Sequence, residues 1–376
     1  MKKIILIPDS FKGTVTAGQF CSIGEKVLKK YFPSCAVISL PLADGGEGTT
    51  DCFLQMDGYE KINLTVKNAF MEDIPVYYAR KGKTAVMEMA MCASLPQAKD
   101  RENPSLTTTY GAGQMIRHAV ENGAAKIIIG LGGSSTNDAG AGMAAALGVK
   151  FYDDKNNDFI PTGGTLDTVK YFDITECKKL LNGVEILAMC DIDNPLYGKN
   201  GAAYIFSPQK GADEAMVQQL DANLQHIAAV SADILDADYS NHRGAGAAGG
   251  MGFGVCAFLG GSLKPGVNLI LEEINFSEEI KDADLVITGE GRIDSQSLSG
   301  KAVVGIARAS QPAGVPVIAV VGNMTDGFEP AYEQGLTAVF STNHTPQSME
   351  QAAANAHANL EKTMENLART ISALSK

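Results

Sequence analysis

The chain has 376 residues with a formal net charge of −12, and 45% of its residues are hydrophobic against 20% charged. This length exceeds the usual limit for one hydrophobic core, so two globular domains are expected. The negative charge argues against a nucleic-acid surface. The apolar run 4–7 is too short for a signal peptide and no run reaches membrane-spanning length, so we expect a cytoplasmic protein with no membrane partner.

The first 60 residues predict two strand–helix units. A strand over residues 3–8 ends in Asp9-Ser10-Phe11-Lys12-Gly13, and a helix capped by a threonine follows over residues 16–31. A second strand over residues 36–40 leads into Asp44-Gly45-Gly46-Glu47-Gly48. Each strand therefore ends in an acidic residue and glycine.

From about residue 58 the pattern changes to short strands. We predict strands over residues 62–66, 75–80 and 84–89, the last two antiparallel across Lys81-Gly82-Lys83. Further strands are predicted over 126–130 and 184–189, a polar hairpin tip over 153–158, and helices over 107–122, 137–147 and 213–238. This stretch is typical of a second α/β domain with a mixed sheet.

The strand–helix alternation returns after residue 275. Strands are predicted over residues 284–288, 316–321 and 337–341, and a closing helix over 347–374. The predicted fold is an α/β, doubly wound parallel sheet of the Rossmann or flavodoxin-like kind, made discontinuously from residues 1–60 and 280–376. Residues 61–279 are then an inserted α/β domain, and we expect the active site in the cleft between the two.

Charged loops follow three of the strands predicted for the terminal domain. Ligands of open parallel sheets bind beyond the carboxyl ends of the strands, so these loops are expected to share one edge. The loops carry Lys12, Asp44, Glu47, Glu290, Arg292, Asp294 and Lys301. Three such loops on one edge favour an active site over solvated turns.

The inserted domain has a loop rich in glycine and serine after the strand at 126–130. This loop, Gly130-Leu131-Gly132-Gly133-Ser134-Ser135-Thr136-Asn137-Asp138, opens a predicted helix, where backbone N–H groups and hydroxyls suit a phosphate or a carboxylate. A capped helix packed through Gly140 and Gly142 is the alternative.

Two acidic residues, Asp191 and Asp193, follow the strand predicted over 184–189. One of them could accept a hydroxyl proton or bind magnesium, and an Asx turn is the alternative. The glycine run 244–249 matches GxGxxG but follows a helical segment, so it does not predict a dinucleotide fold, although the N–H groups of residues 249–254 could lie near a nucleotide. Acids, cations and glycine-rich anion loops together indicate phosphoryl transfer.

Several motifs in this order resemble those of the type I glycerate kinases. They are Asp9-Ser10-Phe11-Lys12-Gly13, Pro41-Leu42-Ala43-Asp44-Gly45-Gly46-Glu47-Gly48-Thr49, Gly130-Leu131-Gly132-Gly133-Ser134, Cys190-Asp191-Ile192-Asp193-Asn194-Pro195-Leu196, Phe206-Ser207-Pro208-Gln209-Lys210-Gly211-Ala212 and Thr288-Gly289-Glu290-Gly291-Arg292-Ile293-Asp294. The resemblance implies phosphorylation of D-glycerate with ATP and Mg²⁺. It leaves the identity of the general base open.

Roles can be assigned to these residues on that basis. Asp191 is the first candidate for the base or hydroxyl orienter, with Asp294 second and Lys12 as the third catalytic residue. Substrate or phosphate would contact Ser10, Gly132, Gly133, Ser134, Ser135, Glu290, Arg292 and Lys301. Asp44 and Glu47 would contact magnesium or the substrate hydroxyls.

The sequence also leaves alternatives open. We favour 2-phosphoglycerate as the product because bacterial members of this family are often glycerate 2-kinases, and 3-phosphoglycerate is the alternative. A kinase of the galactokinase and homoserine kinase superfamily is a second hypothesis, and a non-catalytic sensor of a sugar acid or nucleotide is a third. The oligomeric state is open, a homo-oligomer included.

Overall fold

The computed structural model describes residues 1–11, 13–43, 45–299 and 301–374. They form two compact units, one from Met1–Asp44 and Pro265–Lys376 and the other from Gly45–Lys264. The sequence placed the boundaries near residues 60 and 280, whereas the structure divides at 44/45 and 264/265. The sequence assigns residues 45–60 to the terminal domain. In the structure these residues begin the second unit, and their helix packs on two strands of the second unit. The assignment of the two units as separate domains stays a prediction.

The strands number β1 to β14 in chain order. They are β1 Lys3–Leu6, β2 Ala36–Ser39, β3 Glu60–Lys67, β4 Asp73–Lys81, β5 Thr84–Glu88, β6 Lys126–Gly130, β7 Lys150–Tyr152, β8 Asp158–Phe159, β9 Tyr171–Asp173, β10 Glu185–Met189, β11 Ser262–Lys264, β12 Leu285–Ile293, β13 Val317–Met324 and β14 Leu336–Ser341. The sequence did not predict β9 and β11, which are three residues each and too short to show a hydrophobic period.

The helices number α1 to α15 in chain order. They are α1 Ala17–Tyr31, α2 Thr49–Leu54, α3 Ala90–Ala93, α4 Leu95–Ala98, α5 Tyr110–Glu121, α6 Ala141–Ala146, α7 Thr175–Leu180, α8 Ala202–Phe206, α9 Glu214–Leu235, α10 Ala247–Ala257, α11 Gly266–Glu273, α12 Phe276–Glu279, α13 Ala302–Ser310, α14 Met349–Ala354 and α15 Ala356–Leu374. Short 3₁₀ turns lie at Leu166–Thr168, Pro208–Lys210, Ser295–Ser299, Gln311–Ala313 and Glu329–Gln334.

The first unit is built on a five-stranded sheet in the order β14-β13-β12-β1-β2, and every neighbouring pair is parallel. The predicted parallel sheet of the terminal segments is therefore confirmed. Helices α1 and α15 pack against each other, and their apolar side chains share one core cluster with Ile4 and Leu6 of β1. Whether the helices cover the sheet in the doubly wound manner stays a prediction.

Helix α1 shows how local sequence sets an element. The Thr16 side chain accepts from the N–H of Gln19, whose own side chain accepts from the Thr16 N–H, so the capping box fixes the helix start.

At the other end of the unit, the prediction of a single helix over 347–374 is wrong, because the helix is interrupted at Asn355 and forms α14 and α15.

The second unit contains a mixed sheet in the order β11-β10-β6-β5-β4-β3 and a small antiparallel sheet in the order β8-β7-β9. Strands β5, β6, β10 and β11 run parallel to one another, while β4 pairs antiparallel with both β5 and β3. The predicted mixed sheet, the turn at Gly82 and the hairpin between β7 and β8 are confirmed.

Two general properties of the chain complete the description. All seven cysteines are free thiols. A search of the described part of the chain finds no helix long and apolar enough to cross a bilayer.

Candidate active site

The strand order of the first unit reverses between β1 and β12, which is where open α/β sheets bind ligands. Past the carboxyl end of β1, the N–H of Asp9 donates to the carbonyl of Gly289 at 2.8 Å. The Thr288 hydroxyl donates to the carbonyl of Ile7 at 2.9 Å. These two bonds hold the Asp9-Ser10 segment beside Glu290, so the first and the third of the predicted charged segments meet at this edge.

Strand β12 is longer than predicted. It continues to Ile293, which pairs with Met324 of β13, so Glu290 and Arg292 lie on a strand rather than in a loop. The prediction that the strand ends at residue 288 is wrong because the backbone ladder with β13 continues past the apolar run. A strand position fixes both charged side chains more firmly than a loop would.

The charged side chains of β12 are held by near neighbours. Glu290 is 6% exposed and accepts from the Ser297 hydroxyl at 2.9 Å. Arg292 Nε lies 3.0 Å from Asp294 Oδ2, and the arginine side chain is 61% exposed while the aspartate is 14% exposed. An exposed guanidinium anchored by a mostly buried carboxylate can still direct its remaining N–H groups to an anion.

The other predicted residues of this edge are less fully defined. Ser10 is half-buried, and its N–H donates to Asp9 Oδ1 at 2.6 Å. Lys301 is half-buried and stands at the start of α13, where free backbone N–H groups favour an anion. The positions of Lys12 and Asp44 fall outside the described residues.

In the second unit, three parallel strands end side by side at one edge. Glu88 of β5 pairs with Gly130 of β6, which pairs with Met189 of β10. The loops that follow, with Gly132 to Asp138 after β6 and Asp191 after β10, therefore leave the sheet together. A Cβ on Gly130 would lie 2.3 Å from the Gly45 carbonyl, so only glycine lets the two backbones approach this closely.

The glycine- and serine-rich loop uses several of its donors internally. The N–H of Gly132 donates to Gly45 O at 2.9 Å, and the N–H and hydroxyl of Ser135 both donate to Ala93 O, at 2.8 and 3.0 Å. Gly133 adopts φ 77° and accepts from the N–H of Leu95. The ligand roles predicted for these residues stay predictions, and Ser134 is the hydroxyl whose surroundings bear on them most directly.

Sequence reasoning missed the two buried charged residues, Lys210 and Asp138, that hold this loop. Lys210 Nζ donates to Ser134 Oγ at 2.9 Å and to Thr136 O at 2.7 Å, and the lysine is 2% exposed. Asp138 is fully buried and accepts from the N–H and the hydroxyl of Thr109, at 2.7 and 2.8 Å. The lysine belonged to a recognised motif, but its partners lie 74 and 76 residues away in the chain.

Asp138 also explains why the helix begins later than predicted. Its carboxylate accepts from the N–H groups of Gly140 and Gly142, and Ala139 and Gly140 have φ of 54° and 71°. The prediction of a helix from residue 137 is therefore wrong, and α6 starts at Ala141. Burial raises the pKa of Asp138, while its bonds from Thr109 act in the opposite direction.

Glu88 is a second residue that sequence reasoning missed. It ends β5, is 2% exposed, and accepts from the N–H of Thr49 at 3.1 Å. Burial raises the pKa of Glu88 to about 7, and the fields of Asp51 and Glu47 add to this effect. The available signal was one acidic residue inside the apolar run 84–91. Glu88 ties the loop that begins at Gly45 to the sheet.

We expect the Glu88→Gln variant to become more stable than the native protein as the pH rises. Glu88 binds its proton more tightly when folded, so the native free energy of unfolding falls between pH 4.5 and about 7. The loss over this window is about 3 kcal/mol. Glutamine cannot titrate, so urea unfolding of both proteins at pH 5 and pH 8 should show the difference growing by about 2.5 kcal/mol, because pH 5 already lies inside this window.

Glu88→Met is the matched control because methionine also removes the titration but cannot accept the Thr49 N–H. It should show the same change with pH on top of a constant loss of about 1 to 3 kcal/mol. A Glu88→Gln difference that is the same at pH 5 and pH 8 would contradict the assignment.

The two aspartates after β10 have different surroundings. Asp193 forms a bidentate pair with Arg243, at 2.9 and 2.8 Å, with both side chains mainly exposed. Asp191 is exposed, and its backbone position is held by the Cys190 N–H, which donates to Lys264 O at 2.9 Å. Arg243 occupies both oxygens of Asp193. The role of proton acceptor for Asp191 stays a prediction.

The predicted metal residues are Asp44, which lies outside the described residues, and Glu47, which is exposed. Across the described ranges, no group of three or more His, Cys, Asp or Glu side chains could hold a metal ion. Mg²⁺ in kinases is often held by one or two carboxylates together with phosphate oxygens and water. The negative field of Glu47 and Asp51, visible in its effect on Glu88, suits such a cation.

The glycine run 244–254 packs instead of presenting an anion cradle. The N–H groups of Gly246, Ala247 and Gly250 donate to carbonyls of Asn194, Gly244 and Gly246. A Cβ on Gly249 would lie 1.9 Å from the Thr136 carbonyl. The run therefore brings α10 against the glycine- and serine-rich loop, and these N–H groups are not available to a nucleotide.

Comparison with known proteins agrees with the motifs. A family model described as the glycerate kinase family matches residues 4–372. Glycerate kinase of Bacillus cereus is 42% identical over 97% of both chains, and glycerate 2-kinase of Escherichia coli is 40% identical over 98% of both. A solved structure from Salmonella typhimurium LT2, assigned provisionally as glycerate kinase 2, has a TM-score of 0.88 and 38% identity, covering 100% of this chain and 99% of its own. The chain belongs to the glycerate kinase family.

Proposed function

We propose that this protein transfers the γ-phosphoryl group of ATP to the 2-hydroxyl of D-glycerate, giving 2-phosphoglycerate and ADP. The observation that carries the proposal is the 40% identity, over 98% of both chains, to an Escherichia coli enzyme named glycerate 2-kinase. The choice between the two hydroxyls depends on an in-line pose that differs by roughly an ångström, so it is the finer part of the proposal.

In this reaction the glycerate hydroxyl oxygen forms a bond to the γ-phosphorus while the bond from that phosphorus to the β,γ-bridging oxygen breaks. The hydroxyl proton passes to the carboxylate of Asp191, and ADP leaves with the bridging oxygen. Catalysis of this kind consists mostly of positioning and charge stabilisation. The exposed guanidinium of Arg292 and the half-buried Lys301 can supply positive charge to the transferring group or the substrate carboxylate.

A magnesium ion would be held by Glu47, with Asp44 as the second predicted ligand. When bound, it would neutralise charge on the phosphate oxygens of ATP. The residues of this chain would orient the two substrates and accept the proton. A location of the site in the cleft between two domains stays a prediction.

The test is to incubate the purified protein with ATP, Mg²⁺ and D-glycerate and to identify the product by phosphorus NMR. We expect the 2-phosphoglycerate signal, and enolase added alone should consume it. A 3-phosphoglycerate signal would overturn the position of transfer. Turnover of homoserine or galactose in place of glycerate would indicate the other kinase class, and binding without turnover of any acceptor would indicate a sensor.

A further inference from the structure

Lys210 is a buried cation without a carboxylate in direct contact. Its Nζ bonds to two neutral oxygens, Ser134 Oγ and Thr136 O, and no ion pair within 4.0 Å joins it to Asp138 in the described structure. Taking an ammonium group out of water costs several kcal/mol unless an anion compensates it. If the side chain at this position only filled space, a neutral side chain would do so without this desolvation cost. The arrangement therefore suits an anion that arrives from outside the protein.

The geometry at Ser134 shows how that anion would be reached. An ammonium group has only donors, so the Ser134 oxygen must act as the acceptor in this bond. The hydroxyl proton of Ser134 then points away from Lys210. Because the group that donates to Ser134 is charged, the Ser134 hydroxyl is polarised and becomes a stronger hydrogen-bond donor itself.

The loop that carries Ser134 is held in place from both ends. Lys210 bonds to positions 134 and 136, and Asp138 bonds to Thr109, Gly140 and Gly142. Ser134 itself is 6% exposed and lies at the carboxyl edge of the parallel strands. Its hydroxyl is thus fixed, as a binding donor should be.

We propose that Lys210 is a positioning residue for substrate binding, which acts through Ser134 by orienting and polarising its hydroxyl toward an anionic oxygen of the substrate. The inference rests on the proposed function in that the loop binds either the glycerate carboxylate or an ATP phosphate. These two sources share one chemistry, and the experiment below distinguishes them.

The acid–base properties of Lys210 give the inference a readout that packing alone would not affect. Burial lowers the pKa of Lys210 to about 7, against the opposing field of Asp138, which is the charged group that acts on it among the described residues. Above this pH the ligand-free protein loses the charge behind Ser134. Affinity for the anion should therefore fall as the pH rises from about 7, by up to tenfold per pH unit.

The experiment compares the native protein with Lys210→Met, Ser134→Ala and the double variant. Michaelis constants for D-glycerate and for ATP are measured from pH 6.5 to pH 9, and binding of each substrate alone is measured by calorimetry. The carboxylate of glycerate does not titrate in this range. We expect Lys210→Met to raise one of the two constants about tenfold to a hundredfold, with little change in kcat and no remaining pH dependence of that constant. The affected substrate is the one whose anion Ser134 contacts.

The double variant should lose no more than the more severe single variant, because Lys210 acts through Ser134. Additive losses, or a Lys210→Met variant with both constants unchanged, would overturn the proposal. If Lys210→Met fails to fold, Ser134→Ala provides the test. The pH dependence of substrate binding seen in the native protein should disappear in Ser134→Ala, and a pH dependence that persists there would overturn the proposal. Calorimetry keeps this test separate from the proposed function, because a protein that does not phosphorylate glycerate can still show the loss of substrate affinity in the variants.

Discussion

Asp191→Asn is expected to lower kcat for glycerate phosphorylation by about 10²- to 10⁴-fold, the usual contribution of a positioned general base. Asparagine has nearly the same shape as aspartate but cannot accept the hydroxyl proton. The backbone before it is fixed by the bond from Cys190 N–H to Lys264 O at 2.9 Å, so the variant should fold normally. Steady-state kinetics together with circular dichroism and thermal unfolding would check both parts of this expectation.

The matched control lies two residues along the same loop. Asp193→Asn breaks only the pair with Arg243, whose side chain is 80% exposed, and such surface pairs contribute about 0 to 1 kcal/mol to stability. Its kcat should stay within about twofold of the native value. Near-normal turnover of Asp191→Asn would remove Asp191 from the mechanism, and a large loss in Asp294→Asn at the same time would transfer the role to the second candidate.

The strands near the candidate site were predictable because they are apolar runs bounded by glycine and acidic residues. Strand β6 has the predicted limits, and the apolar run at the start of β12 was found. The rest of β12 was not, since Glu290 and Arg292 are polar residues that join the sheet only because β13 continues beside them. Backbone pairing with a distant segment leaves no local signal in the composition of a strand.

The buried charges were missed for a related reason. Glu88 and Lys210 are single charged residues, and only the folded structure shows that both are 2% exposed. Lys210 reaches Ser134 across 76 positions of sequence, a separation that no helical or strand period can indicate. Motif resemblance pointed to the segment that contains Lys210, but the function of the residue depends on its partners.

The glycines at 244–249 match a dinucleotide motif in spacing only, and the sequence predicts no more than that N–H groups of residues 249–254 could lie near a nucleotide. In the structure the same spacing is needed for packing. Gly249 has φ 67°, and Gly252 and Gly254 leave space for backbone atoms of residues 244 and 139. Glycine spacing alone therefore does not distinguish an anion cradle from a close contact between two backbones.

Among the substitutions proposed for this protein, Gly249→Ala is expected to lower stability most, by about 4 kcal/mol or more in the free energy of unfolding. The new Cβ would lie 1.9 Å from Thr136 O and 2.6 Å from Asn137 Cα. Both are backbone atoms, so no side-chain rotation can relieve the overlap. Thr136 O is also the carbonyl that accepts from Lys210 Nζ at 2.7 Å, so any displacement disturbs the loop that carries Ser134.

Gly260→Ala separates this overlap from the strain of a left-handed backbone. Gly260 has φ 64°, close to the φ of 67° at Gly249, but a Cβ there would meet nothing within 4 Å. The control should therefore cost only about 1 to 2 kcal/mol, the penalty of an alanine in the left-handed region. Urea unfolding of the two variants measures the difference. Equal losses would mean that backbone conformation, and not the contact with Thr136, explains the glycine.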